Sequence, residues 1–286
     1  MLLRSLRFAA VIAASLAPRV TCADMLTLTA VADAYIISSA PDNNVGGEAI
    51  FDAGTDGRGG IRRGLVRFDL SGLPPGATVT SAVVQLTVVK TPTGGGIDSN
   101  FDLYRLNVSW GEGTEVGTPN GAPATTGEAT WNSRLQNESL WTTPGAADDA
   151  TGTASASTHV NLTGLYSWSG SALVQDVRYW QTNGAGNFGW LLRSKNENIN
   201  YTAREFGSRE SASGGTLVLG YTATPSPPDA LTIVQLGTNV VVNWAGSFPL
   251  QQSGVVNTGY QDVGASTGPY TNAIGPVPQF FRLRGK

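Results

Sequence analysis

The sequence predicts an all-β protein: a jelly-roll β-sandwich with one short helix, followed by a small β C-terminal domain. Three observations carry this. Apolar residues alternate with polar ones in short runs, and those runs are bounded by Gly, Pro and Asn clusters. Charged residues make up only 14% of the chain, against roughly 25% in an average soluble domain. With 36 glycines as well, the chain suits exposed strands and many turns better than long solvated helices. Helical spacing is clear in one stretch only.

Taken in order, the first 23 residues read as a secretory leader. Arg4 and Arg7 make a basic front, and Phe8 to Ala17 is an apolar run too short to span a bilayer. Thr21-Cys22-Ala23 then places small residues before a cut at Asp24. The formal net charge is −3; loss of Arg4, Arg7 and Arg19 with no acid would make it −6. That balance gives no basic footprint for nucleic acid. Cys22 is the single cysteine, so the expected mature chain has no disulfide and relies on packing. The localisation expected is secreted, extracellular or at the cell surface, with no membrane span in the mature chain.

Residues 24–223 form the expected sandwich. "MLTLTAVADAYII", "AIFDAG", "RRGLVRFDL", "ATVTSAVVQLTVV" and "NFDLYRLNVSW" are its first strands. In the third, Val66 and Phe68 face the core, while Leu65, Arg67 and Asp69 face away; Arg67 reads as a cross-strand anchor. Residues 111–160 are irregular, and such a long loop region wraps a core or carries function. "ALVQDVRYWQ" is the helix, with Leu173, Val174, Val177 and Trp180 on one face. "NFGWLLRS" and "TLVLGYT" close the domain as strands. Residues 224–229, "TPSPPD", read as a Pro-rich linker. Residues 230–286 form the small β domain, with a hairpin turn at Gly237-Thr238-Asn239 and a thin core.

The search for chemistry narrows the function classes. His159 is the only histidine, which excludes any site needing two. No G-x-S-x-G elbow, phosphate loop or dinucleotide fingerprint occurs. Glu112, Glu115, Glu128 and Glu138 are the carboxylates available for a glycosidase pair, with nothing in their spacing to select two. For calcium, Asp42, Asn43, Asp52 and Asp56 lie in Gly-rich turns, where Asp and Asn are also ordinary turn formers. For carbohydrate, exposed tryptophans would stack on sugar rings: Trp110, Trp131, Trp141 and Trp168 are the candidates, with Arg58, Arg62 and Arg63 as polar partners. Arg67, Arg105, Arg193, Arg204 and Arg209 would be structural where an acid pairs them and ligand contacts where none does.

Several segments together resemble a known family. "DAYIISSAPDNNVGGEAIFDAG", "RRGLVRFDLSGLPPGATVTSAVVQLTV", "LYRLNVSWGEG", "LVQDVRYWQTNGAGNFGWLLRS" and "REFGSRES" occur in the order of the DNRLRE-type domain. That domain is similar to a carbohydrate-binding-module family that recognises alginate-like acidic polysaccharide. The resemblance implies a non-catalytic jelly roll whose partner is an extracellular polysaccharide. The C-terminal tail resembles a short β-module of secreted bacterial proteins. The expected function is therefore polysaccharide binding without catalysis. The alternatives are a structural or adhesive surface protein and, behind it, a polysaccharide lyase or glycoside hydrolase.

Overall fold

The computed structural model describes residues 22–93, 95–117, 119–223, 231–244 and 248–284. Residues 1–21 of the expected 1–23 leader and the linker at 224–229 lie outside the described residues, while Cys22 and Ala23 open the first strand. The chain divides into two compact units, one of them Cys22–Ala223.

That unit is a sandwich of two antiparallel sheets. Its strands are β1 (Cys22–Ile37), β2 (Ile50–Thr55), β3 (Ile61–Phe68), β4 (Thr78–Lys90), β5 (Ser99–Arg105), β6 (Ala156–Val160), β7 (Gly164–Ser169), β8 (Trp190–Ser194), β9 (Arg204–Gly207) and β10 (Thr216–Ala223), with helix α1 (Ser171–Thr182) after β7. In the first sheet β4 is central. β7 pairs with it along one run, and β9 and β10 both pair antiparallel with it elsewhere. The first half of β1 adds to β10, and β2 adds to β9. The second sheet runs β1, β3, β8, β5, β6, using the second half of β1. β1 changes sheets at a register shift between Ala30 and Ala32, and the tip of β2 also joins β3. These two strands are the seams of the sandwich.

The core between the sheets follows from alternation. Val79, Ala82, Val84, Leu86 and Val88 of β4 point inward with Val66 and Phe68 of β3. Aromatic rings fill the middle: Phe206 stacks on Phe51 at 5.4 Å and meets Phe101 and Trp168 edge-on at 5.9 and 6.2 Å. Such pairs contribute about 1 kcal/mol each beyond their buried area. α1 closes one side with Leu173, Val177 and Trp180, the face its spacing predicts. Trp180 meets Trp190 at 4.6 Å. Asp176 shares that buried face, accepting from the Trp190 indole at 2.8 Å.

One expectation fails. Leu65 was placed on a water-facing side of β3, yet it is fully buried. The irregular segment after β5 covers the outward face of the second sheet. Trp110, Ala129, Trp141 and Ala146 pack there on Ala32, Ala34, Ile36, Leu65 and Leu191. The wrap is pinned by two short ladders, Asn43–Asn44 with Ala122–Pro123 and Ser133–Leu135 with Ser139–Leu140. Alternation gives which side a residue faces, but not whether another layer lies on that side.

The C-terminal unit contains two three-stranded sheets. β11 (Thr232–Leu236), β12 (Asn239–Asn243) and β15 (Tyr270–Ala273) make one; β13 (Leu250–Ser253), β14 (Gln261–Asp262) and β16 (Phe280–Leu283) make the other. Among its described residues only Val242, Trp244 and Leu250 are buried hydrophobics, which is a thin core.

Candidate functional site

The outward face of the second sheet carries charge beside the wrap. On β3 the outward positions are Arg63, Leu65 and Arg67. On β8 they are Leu191 and Arg193, which lie opposite Tyr104 and Asp102 of β5. The loop after β8 brings Glu197 over this row, fixed from below by Thr55, whose hydroxyl donates to the Glu197 carbonyl at 2.7 Å.

Glu197 holds two arginines at once. Arg63 Nε and Nη2 donate to its two oxygens at 2.8 and 2.9 Å, and Arg193 Nη2 donates at 3.3 Å. The remaining Arg63 nitrogen, Nη1, donates to the Gly145 carbonyl at 2.5 Å. Each arginine lies over an aromatic ring: Arg63 is 4.9 Å from the Trp131 centroid and Arg193 is 5.4 Å from that of Tyr104. Tyr104 donates its hydroxyl to Asp102 at 3.1 Å, and burial followed by the Asp102 charge pushes that phenol up. Lys195 Nζ lies 3.8 Å from the same carboxylate. The result is a continuous row: Trp131, Arg63, Glu197, Arg193, Tyr104.

Gly145 is part of this arrangement. A side chain there would come within 2.8 Å of the Trp131 ring and 2.5 Å of Arg63, and its φ is +89°. Only glycine lets the wrap close onto both.

The four tryptophan candidates separate cleanly. Trp110 (6% exposed), Trp141 (4%) and Trp168 (0%) are packed, which removes the open ring face that stacking needs. Their indole N–H groups donate to the carbonyls of Phe188, Thr130 and Phe101. Trp131 alone of the four is half-buried, and it is the one with an arginine beside it. The arginines named from sequence are mostly paired. Arg62 is buried between Asp52 (3.1 Å) and Asp56 (3.3 Å). Arg105 faces Asp176, and Arg209 makes a two-pronged bond to Glu112. Arg204 is fully buried among the carbonyls of Asn161, Thr202, Ala203 and Ile97. Arg67 has no ion pair among the described residues, and its neighbour Asp69 instead binds the Ser71 N–H and hydroxyl in the following turn. Arg58 is exposed.

The carboxylates are arranged differently from the sequence reading. Asp52 and Asp56 meet around the Arg62 guanidinium. Asp42 accepts from Asn132, and Asn43 donates to the Asn120 carbonyl, so these four do not form one ligand set. The acids that do converge are Asp33, Glu112 and Glu210, whose oxygens lie within 4.8 Å of one another. They are the set with the donor chemistry for a hard cation. Arg209 already neutralises two of them, bonding Glu112 and lying 3.1 Å from Glu210. Asp33 is buried, and that burial pushes its carboxyl up to about 7 against the lowering effect of the Arg209 N–H. Glu128 accepts from the Thr114 and Thr125 N–H groups and holds the wrap.

An open cleft of about 570 Å³ lies on the wrap, lined by Asp42, Asn132, Gln136, Asn137, Leu140 and Trp141 among others. Asn132 is the chain neighbour of Trp131. Its amide-rich wall suits hydroxylated ligands.

Sequence reasoning missed Tyr104 and Glu197. Alternation in "DLYRL" could have put Tyr104 and Asp102 on one face. Nothing local connects Glu197 to Arg63, 134 positions away.

Residues 24–160 match the family model for carbohydrate-binding module family 96. No curated protein matches the chain. The family match supports a carbohydrate-binding module; it ends with β6, so Arg193 and Glu197 lie beyond the matched stretch.

Proposed function

We propose that this chain is a non-catalytic module that binds an extracellular polysaccharide across the outward face of the second sheet. The observation that carries the reading is the Trp131–Arg63–Glu197–Arg193–Tyr104 row. Sugar recognition needs rigid aromatic surface with polar groups in fixed positions. Both aromatics here are held by arginines, and both arginines are held by one carboxylate. The cost of ordering these side chains is met on folding, before any ligand arrives. Arg63, Arg67, Arg193 and Lys195 outnumber Glu197 and Asp102 on this face, and that net positive charge favours an anionic polymer, in keeping with the acidic polysaccharide implied by the DNRLRE-type resemblance. The amide-lined cleft on the wrap, with Asn132, Gln136 and Asn137 in its wall, supplies hydroxyl contacts.

The geometry gives less support to catalysis. His159 is exposed and bonds Asn100, 3.2 Å away, with Asp98 at 3.7 Å. Glu112 and Glu128 are engaged in structural bonds. The test is native affinity electrophoresis in gels containing a polyuronate, a mannan, a xylan or a β-glucan. Retardation in at least one gel is expected, strongest with the polyuronate. A folded chain retarded by none would overturn the reading.

A further inference from the structure

Tyr201 lies in the left-handed region, with φ of 64°. A bulky side chain is a rare occupant there, whereas Gly or Asn adopts the conformation with ease. The backbone leaves no other choice. Tyr201 N–H donates to the Asp56 carbonyl at 3.3 Å, and its own carbonyl accepts from Ile97 N–H at 2.9 Å. Thr202, next along, is fully buried and takes the Thr55 N–H on its hydroxyl at 2.9 Å. Three loops at one end of the sandwich therefore impose the conformation, and none of these bonds requires a tyrosine.

Tyr201 is 45% exposed. It rests against Gly57, where a side chain would come within 2.5 Å of Tyr201 Cε1. Gly57 belongs to a turn fixed by Asp56, whose carboxylate accepts from the N–H groups of Arg58 and Gly60. Asn200 donates its amide to the Gly57 carbonyl at 3.3 Å. Arg58 is exposed and makes no ion pair among the described residues. Tyr201 against Gly57, the Asn200 amide on the Gly57 carbonyl and the exposed Arg58 next along thus belong to one turn, at a point where backbone strain is retained. Observed strain of this kind is a pointer to function rather than to packing.

The same loop carries Glu197, which holds the two arginines of the candidate face. Tyr201 is four positions beyond Glu197, at most about 14 Å of chain. We infer that Tyr201, with Arg58 and Asn200, is a second sugar subsite continuing that face around the end of the sandwich. The ligand is then an internal stretch of an extended polysaccharide rather than a single sugar. This inference rests on the carbohydrate-binding reading above.

Four proteins decide it: the wild type, Tyr201→Asn, Tyr201→Phe and Trp131→Ala, run in affinity gels holding a polysaccharide that retards the wild type, with thermal melts in parallel. Tyr201→Asn should melt no lower than the wild type, because Asn is at ease in the left-handed region, yet bind about five- to tenfold more weakly. Tyr201→Phe should bind as the wild type does. Unchanged affinity in Tyr201→Asn, with Trp131→Ala impaired, would overturn the subsite and leave the main face standing. A melting temperature that falls along with affinity would assign the ring to packing and overturn it too. A wild type retarded by no polysaccharide would remove both readings.

Discussion

The two outward faces of the sandwich are both antiparallel, and they differ in nearly every chemical respect. On the first sheet the charged outward side chains, Asp52, Glu205 and Lys90, gather at the β2–β9 end; outward positions 25, 27 and 29 of β1, 81, 83, 85 and 87 of β4, 165 and 167 of β7, and 216 and 218 of β10 include no charged residue. Met25, Thr27, Thr29 and Leu165 there are plainly exposed. On the second sheet, outward positions hold Arg63, Arg67, Arg193 and Asp102, and part of the face lies under the wrap. The β1, β10, β4 and β7 part of the first face satisfies its backbone through the sheet and asks nothing more of its side chains. The second places charges where water is partly excluded, so each must find a partner with good geometry. That requirement produces the fixed row of aromatics and arginines, and a fixed row is what recognition uses. That difference is the ground on which binding is proposed for the second face.

Removing the carboxylate should do most to break this contrast. Glu197→Gln leaves Arg63, buried and 4.9 Å from Trp131, without its counter-ion. Breaking a buried pair from one side costs about 3 kcal/mol. Calorimetry should show a fall in melting temperature of several degrees, with weakened polysaccharide retention. An unchanged melt would mean that Gly145 alone holds Arg63 and that the row is not a unit.

The seams between the faces give the next effect, through pH. Asp33 on β1 and Asp52 on β2 are both buried, and burial pushes each carboxyl up to about 7, outweighing the Arg209 N–H in one case and the Arg62 charge in the other. Both values exceed the unfolded carboxylate's. Between about pH 4 and pH 7 the folded chain therefore keeps protons that the unfolded chain has released. Stability should be greatest at the acid end of that window, fall as pH rises towards 7 and level off above it. Melts across the window check the slope, and Asp33→Asn should flatten it. A melting temperature rising over the same range would contradict the sign.

Trp131→Ala tests the face directly. It should weaken polysaccharide binding about tenfold, or 1.4 kcal/mol, with a smaller effect on stability than truncating buried Trp110 or Trp168. Isothermal titration with the retarding polymer measures the first quantity and thermal melts the second. Equal binding by Trp131→Ala would move the site away from this row.

Much of the fold is legible in the sequence because strands obey a period of two. Val79 to Val88 announces β4, and Leu173, Val177 and Trp180 announce α1. The wrap is not legible, since it has no period. "ATWNSRLQNESLW" gives no sign that Trp141 turns inward while Trp131 stays half-open. Leu65 shows the same limit on a strand. The candidate site was half visible: Trp131 and Arg63 stand out by type, whereas Glu197 and Tyr104 join them only through pairing between strands distant in sequence. Local patterns record which face a residue takes, and long-range register decides what meets on that face.

The smallest expected effect is the sharpest control on the comparison. Thr27→Lys and Leu165→Lys each put a charge on the uncharged part of the first face, at exposed positions. Substitutions at such sites usually change stability by no more than about 0.5 kcal/mol. Both side chains are long enough to keep the ammonium in water, and no buried partner is lost. Binding of the retarding polysaccharide should stay as in the wild type. With an anionic polymer, a distant positive charge adds at most a weak, salt-sensitive attraction, which about 0.15 M salt screens beyond roughly 8 Å. Loss of binding in either variant, with the fold intact, would mean that the flat Thr- and Val-bearing sheet is the surface in contact. The Trp131 row would then be a structural brace for the wrap.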